Sequence, residues 1–308
     1  MTERKSKIKI LLGTSTFSEE DKDPLLKLLG MGFEVVENPF KRRLTKDELI
    51  NLLPGVSGII AGLEPLDRDV LKNSELKVIS RCGSGLSNVD LDAAKEFGVT
   101  VKNTPTAPIE AVAELTVGCL LSILRHIRQM DASLHNNKWF KIIGRQLNGM
   151  NVAVIGFGNI GQRVAQLLNA FGADIYAVDP AYSGKVSGFP VVDLDDALKA
   201  ADVITLHCSG EKCLLGKSQF DLMKDGVYIL NAARGGLIDE GALIAALDSG
   251  RVAGAWLDTF QSEPYSGALL KYKQVILTPH IGSYTSECRR NMEMEAVDNL
   301  IEALRKIL

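Results

Sequence analysis

The stretch NVAVIGFGNIGQRVAQLL, residues 151–168, restricts the fold more than any other part of the chain. An apolar run leads into Gly156, Gly158 and Gly161, and an amphipathic helical segment follows. In that order the first glycine permits a tight turn and the second lets backbone approach a pyrophosphate. The third lets the helix pack closely on the strand. The helix that starts there offers N–H groups without intrahelical partners, and the positive end of its dipole, to the phosphates. Three glycines at this spacing are weak evidence alone; the strand before and the helix after supply the context the mechanism needs. The next apolar run, DIYAVD, ends in Asp179, about 18 residues beyond Gly161 and near the spacing of a ribose-binding acid. The same residue precedes Pro180, where a turn or a helix cap would also use it. A carboxylate at the ribose repels a 2′-phosphate, and the following PAYSG contains no arginine, so NAD is expected rather than NADP.

The rest of the chain has the rhythm such a motif belongs to. Its 308 residues suggest about two domains. The strand candidates IKILLG, FEVVE, GIIAG, KVISRC and VTVKN form a first series. A second series from Asn151 comprises NVAVIG, DIYAVD, DVITLH, VYILN, AGAWLD and QVILTP. Helical patterns such as EDKDPLLKLLG, LTKDELINLL, NVDLDAAKEFG, IGQRVAQLLNAFG and EGALIAALDSG lie between them. Alternating β and α with continuous apolar strands predicts parallel sheets covered on both faces. The fold class expected is therefore α/β, with two doubly wound parallel-sheet domains. Between the series, the stretch from Ala107 to Trp139 is helical in pattern, with Pro108 suited to the first turn. It carries too many apolar positions for one buried face, as expected of a helix between domains or in a dimer interface. The stretch after Tyr284 reads as one closing amphipathic helix.

Composition excludes several alternatives. The net charge of −3 gives no global attraction to nucleic acid or membrane. No apolar run reaches the roughly 18 residues of a membrane span. The start, MTERKSKIKILLG, lacks the long apolar core and cleavage site of a signal peptide. The cysteines number five and include no CxxC, so no disulfide framework or zinc site is indicated, and His207, Cys208 and Cys213 match no standard ligand spacing. A reduced, cytoplasmic protein is the default.

Three polar stretches stand at the ends of later strands: NAARGGLID after VYIL, LDTFQSEP after AGAW, and TPHIGS after VIL. Ligands bind outside the carboxyl ends of strands in open parallel sheets. Arg234, Glu263 and His280 are thus candidates to converge on a bound nicotinamide. Each taken alone is also compatible with a surface arginine, a turn glutamate before Pro264 and a loop histidine.

In the order and spacing of these stretches, with RCGSGLSNVD and NTPTAPIEAVAELTVG in the first half, the whole chain resembles the D-isomer-specific 2-hydroxyacid dehydrogenases. The resemblance implies a Rossmann dinucleotide-binding domain over residues 104–284. It implies a flavodoxin-like substrate domain over residues 1–103 plus 285–308. It also implies an Arg–Glu–His catalytic set at Arg234, Glu263 and His280. His280 would take the hydroxyl proton as hydride leaves C2, Glu263 would orient the imidazole, and Arg234 would hold the substrate carboxylate. The cofactor is expected against Gly156, Gly158, Asn159, Ile160, Gly161, Asp179, Pro180, His207, Cys208, Ala232, Asp258 and Gly282. The substrate acid is expected on Gly83, Ser84 and Gly85, whose amides would form an anion nest, with Arg81 beside them. Asn88 and Asp90 match positions that brace this loop. Within the family the chain looks most like the phosphoglycerate dehydrogenases, which implies 3-phosphoglycerate as substrate. Two departures stand out. Gly62, Leu63 and Glu64 occupy the loop that carries a phosphate-facing arginine in some phosphoglycerate enzymes, and Ser209 stands where the family usually has proline. A reductase of glyoxylate or hydroxypyruvate is the alternative enzyme, and a non-catalytic NAD-sensing protein the alternative of another class. A homodimer through residues 111–137 is expected from the family's habit. No metal, nucleic acid or membrane partner is expected.

Overall fold

The computed structural model describes residues 7–210 and 212–307. The chain forms two compact units, Met1–Pro108 with Tyr284–Leu308, and Ile109–Ser283. The first passage lies after Pro108, not after residue 103, because Thr104 stays on the first unit: its amide donates to the Gly83 carbonyl (3.1 Å) and its hydroxyl accepts from the Gly83 amide (2.7 Å). Residues 1–6 and 308 of the expected domain lie outside the described residues.

The first unit is built on five strands: β1 (Lys9–Leu12), β2 (Glu34–Glu37), β3 (Val56–Ala61), β4 (Val78–Arg81) and β5 (Thr100–Asn103). They pair in parallel in the order β2-β1-β3-β4-β5. That is the doubly wound order of flavodoxin-like domains. Helices Lys46–Leu52, Arg68–Lys72 and Leu91–Glu96 contribute Leu49, Val70, Leu71, Ala93 and Ala94 to a core shared with Leu11, Ile59 and Ile79 of the sheet. Thr45 starts the first of these helices with a capping box, its hydroxyl accepting from the Glu48 amide while Glu48 accepts from the Thr45 amide. A cap of this type contributes about 1 kcal/mol. The closing helix, Ser286–Ile307, lies on β3, β4 and β5. Its contact with β3 is close: a Cβ on Gly58 would come within 2.9 Å of the Leu300 side chain.

The second unit carries six parallel strands: β6 (Asn151–Ile155), β7 (Asp174–Val178), β10 (Val203–Leu206), β11 (Val227–Asn231), β12 (Val252–Leu257) and β13 (Val275–Leu277). Between β7 and β10, the strands β8 (Lys185–Val186) and β9 (Phe189–Pro190) form a small antiparallel hairpin. The sheet order is β13-β12-β11-β10-β6-β7. The chain winds from β6 to β7 on one side, then returns to β10 on the other. The switch point, where such sheets open a crevice at their strand ends, is therefore between β6 and β10. Val191 pairs with Ala177 as a single parallel bridge outside β7, all that is formed of a further strand. β6, β10 and β11 are almost wholly buried, as their apolar runs require.

The long helical stretch corrects the sequence reading: it forms two helices, Ile109–Leu124 and Ile127–His135, separated by His126 in a left-handed conformation (φ 49°). The returning chain terminates the first helix. The Arg145 amide caps the Leu124 carbonyl at 2.9 Å, and Gly144 packs so tightly there that a Cβ would sit 2.4 Å from that oxygen. The first helix buries nine residues from Ala111 to Leu124 and packs against helix Asn159–Ala170 and β12, so much of its apolar excess is used within its own unit.

Candidate active site

The glycine fingerprint is shaped as its chemistry demands. Gly156 leaves β6 with φ 87°, a conformation that favours glycine, and a Cβ there would strike the Cys208 amide at 2.3 Å. Gly158 forms the N-cap of helix Asn159–Ala170 with open space around its Cα. Gly161 lies on the Gly156 carbonyl so closely that a Cβ would be 2.0 Å from the oxygen. Asn159, Ile160 and Gly161 are the first residues of the helix, whose first-turn amides have no intrahelical partner. Asp179, at the end of β7, accepts from the Phe157 amide (2.8 Å) and the Ala181 amide (2.9 Å). The acid thus holds the glycine loop, and exposed Pro180 follows it. A cradle that any side chain would fill, beside a helix N-terminus and a carboxylate, fits a dinucleotide.

His207 and Cys208 follow β10 directly. The His207 ring nitrogen Nε2 meets the Thr205 hydroxyl at 2.8 Å, and burial pushes its imidazole down to about 3, so it is neutral at physiological pH. Burial likewise raises the Cys208 thiol. Neither group is poised for acid–base work; both serve as wall beside the glycine turn.

The ends of β11, β12 and β13 carry the three candidate reactive groups. Asn231, the last residue of β11, is buried and folds the following loop around itself: it accepts from the Ala233 amide (3.0 Å) and donates to the Arg234 carbonyl (2.8 Å). Ala232 is half-buried in this turn. Arg234 is half-buried, and its Nη1 donates to the Ala233 carbonyl at 2.7 Å. After β12 comes Asp258, only 1% exposed. Its carboxylate accepts from the Thr278 hydroxyl (2.6 Å), the Ile281 amide (2.8 Å) and the Gly282 amide (2.8 Å). The Trp256 indole N–H donates to the same Thr278 hydroxyl at 2.9 Å. Asp258 therefore organises the loop after β13, and its backbone carbonyl takes the His280 amide at 2.9 Å. Held this way, His280 adopts φ 55°, a region that non-glycine residues visit at some cost and keep only when neighbours impose it.

His280 meets Glu263 directly, Nδ1 to Oε2 at 3.0 Å, with the imidazole about a third exposed. The other carboxylate oxygen of Glu263 accepts from the Phe260 amide at 3.0 Å. With Nδ1 on the carboxylate, Nε2 is the ring nitrogen presented to other partners. The Arg234 segment reaches this loop through Gly235, whose Cα lies so near the Phe260–Gln261 backbone that a Cβ would be 2.0 Å from the Phe260 carbonyl carbon. The three sequence candidates thus fall on adjoining loops of one unit. Sequence reasoning missed the groups that hold them, Asn231, Phe260 and Thr278. Only their position at strand ends would have singled them out.

Arg81, Gly83, Ser84 and Gly85 follow β4 in the first unit. Gly83 has φ 137°, and the Arg81 guanidinium folds over it to donate to the Cys82 carbonyl. The Asn103 amide group donates to the Ser84 carbonyl at 2.7 Å. Asn88 donates to the carbonyls of Gly62 (3.2 Å) and Glu64 (2.7 Å), and Asp90 caps helix Leu91–Glu96 through the Ala93 amide. Glu64 itself is buried, 1% exposed, with both carboxylate oxygens on the Gly62 amide.

Comparison with known proteins places this geometry. Residues 117–282 match the family described as D-isomer specific 2-hydroxyacid dehydrogenase, NAD binding domain. A hydroxypyruvate reductase of Thermotoga maritima is 40% identical over 85% of this chain and 89% of its own. A D-3-phosphoglycerate dehydrogenase of Rattus norvegicus is 39% identical over 87% of this chain but 52% of its own, so the chain spans about half the length of that relative. Among solved structures, a glyoxylate reductase from Paecilomyes thermophila superposes with a TM-score of 0.88 at 28% identity, covering 98% of this chain and 96% of that one.

Proposed function

The chain belongs to the D-isomer-specific 2-hydroxyacid dehydrogenases, a family of NAD-dependent oxidoreductases, and on that premise we propose that it interconverts a small D-2-hydroxy acid and its 2-keto acid through His280, Glu263 and Arg234. The observation that carries the reading is the Glu263–His280 contact of 3.0 Å, in the same unit as the glycine fingerprint. A purely cofactor-sensing protein would have no use for a carboxylate-oriented imidazole at that strand end.

NAD, when bound, takes up or returns the hydride at substrate C2. In the oxidative direction His280 Nε2 removes the hydroxyl proton; in reverse it delivers a proton to the ketone oxygen. Glu263 holds Nδ1, which sets the ring's orientation and tautomer. Arg234 offers a planar fork of donors to the substrate carboxylate. The turn at Gly83, Ser84 and Gly85, with Arg81, supplies amides and charge for the same acid. Asp179, close to the Phe157 amide, favours the unphosphorylated ribose of NAD over that of NADP.

The substrate we favour is a three-carbon acid, hydroxypyruvate with D-glycerate as its reduced form. The loop after β3 supports this choice: Leu63 and the buried Glu64 stand where some phosphoglycerate enzymes carry a phosphate-facing arginine. A second reading, 3-phosphoglycerate with 3-phosphohydroxypyruvate, is supported by the resemblance of the first half and by the phosphoglycerate dehydrogenases among the relatives. Turnover on a panel of hydroxypyruvate, glyoxylate, pyruvate and 3-phosphohydroxypyruvate, each with NADH and NADPH, separates them. Highest kcat/KM on hydroxypyruvate with NADH is expected. Preference for the phosphorylated acid would select the second reading, and no turnover on any acid would overturn the enzyme. The family's habit further supports a homodimer through the helices before and after His126. Beyond them Trp139 is 82% exposed and Ile143 98% exposed. Light scattering at micromolar concentration is expected to give twice the chain mass; a monomer would contradict it.

A further inference from the structure

The loop that carries Glu263 is anchored by a residue outside the catalytic set. Tyr265 stacks on Phe260 with ring centroids 4.3 Å apart and planes 23° from parallel. Its hydroxyl donates to Glu240 Oε1 at 2.7 Å and accepts from the Leu269 amide at 3.1 Å. Glu240 is the first residue of helix Glu240–Asp248, so the phenol ties the loop to a rigid element. The chain leaves room for it: a Cβ on Gly267 would fall 2.3 Å from the Tyr265 hydroxyl oxygen. The Phe260 ring held by this stack belongs to the residue whose amide fixes Glu263 Oε1, while Glu263 Oε2 meets His280. Gly235 also presses directly on the Phe260–Gln261 backbone.

Resting on the proposed role of the Glu263–His280 pair, we infer that Tyr265 is a positioning residue, which clamps Phe260 through its ring and so keeps the Glu263 carboxylate in register with His280. Glu240 is the other half of the clamp. It acts on chemistry without touching substrate or cofactor. A stacked aromatic pair stabilises beyond the burial of its area, which holds a short loop in one geometry. Displacing a catalytic group by about 1 Å can cost up to roughly a hundredfold in rate.

The test is the pH profile of keto-acid reduction in the full-length enzyme, with NADH affinity and melting temperature measured alongside. Glu263→Gln is the reference: it takes the carboxylate off His280 Nδ1, so the acid–base limb of the profile moves. Tyr265→Leu is expected to lower kcat roughly tenfold and to move that limb part of the way, with NADH affinity unchanged within about twofold. Tyr265→Phe keeps the stack and falls between wild type and Tyr265→Leu. Glu240→Gln keeps an acceptor for the phenol and follows the wild-type profile, whereas Glu240→Ala follows Tyr265→Phe. If Tyr265→Leu fails to fold, Tyr265→Phe and Glu240→Ala decide by the same limb. Variants with lowered melting temperature but wild-type kcat and pH limb would overturn the positioning role. If Glu263→Gln itself moves nothing, the proposed acid–base pair fails; if Glu263→Gln moves the limb and the Tyr265 variants do not, only the positioning inference fails.

Discussion

At the scale of single residues, His280, Glu263, Asp179 and the three glycines could be singled out as candidates because strand-end chemistry uses few residue types in fixed order. The groups that hold them could not. Thr278 acts through a hydrogen bond to Asp258 at the end of the neighbouring strand, and Asn231 through one to the Arg234 carbonyl three residues on, and neither residue type by itself announces such a role. Arg234 gives a clean prediction. Arg234→Ala removes the donor fork for the acid, so KM should rise and kcat fall together, and Arg234→Lys should recover little because an ammonium lacks the planar fork. Full activity in Arg234→Lys, measured by steady-state kinetics, would count against bidentate recognition. Glu64 gives a prediction on stability. Burial raises its carboxyl above the usual range, opposed by the Gly62 amide and the charges of Arg81 and Arg43. The unfolded carboxyl titrates near about 4.3. Between that pH and the raised folded value, the folded chain keeps a proton that the unfolded chain has lost. The group's contribution is therefore full below about pH 4 and is lost as pH rises through the folded value. Glu64→Gln cannot titrate, so its melting temperature relative to wild type should increase as pH rises from about 4 to 8. A difference that is flat or falls over that range would refute the buried-charge account.

At the scale of elements, every strand of both parallel sheets falls on one of the β-rich runs; the central strands are continuous apolar because burial on two faces leaves no room for alternation, whereas β2 and β5 are only partly buried. The β8–β9 hairpin was missed: two residues per strand leave no period to detect. So were the seven-residue helix Leu194–Ala200 and the six-residue helix Lys217–Leu222. The break at His126 was invisible because no glycine or proline marks it; the cause is the cap from Arg145, twenty residues away in sequence. The strand–turn–helix around the fingerprint is the element on which cofactor binding rests. A Cβ at Gly161 would lie 2.0 Å from the Gly156 carbonyl oxygen, so Gly161→Ala must push the helix off the turn. Overpacking of this kind costs about 1–3 kcal/mol, and 1.4 kcal/mol is about tenfold in affinity. NADH affinity in Gly161→Ala, measured by fluorescence titration, should fall roughly tenfold or more. Binding at wild-type strength would show that the close packing of Gly161 is not needed.

At the scale of the whole molecule, two doubly wound units divide the expected residues. The fingerprint, Arg234, Glu263 and His280 lie in Ile109–Ser283, and the Gly83 turn with Arg81 lies in the unit that also contains the closing helix. The two-unit architecture was legible because the β/α rhythm starts twice, and because the long apolar helical stretch separates the two starts. The substrate was not, since it depends on a few side chains around Leu63 and Glu64 that obey no pattern. The central claim is that the intact chain moves a proton through His280 while hydride moves to or from NAD. The most direct measurement is single-turnover reduction of hydroxypyruvate by NADH, or of the best acid in the panel, in wild type and His280→Ala, with NADH affinity determined in parallel. The account predicts a rate lower by roughly 10²- to 10⁴-fold in His280→Ala with NADH binding preserved, and D-hydroxy acid as the wild-type product. A near-normal rate in His280→Ala would contradict it and leave His280 an ordinary loop residue.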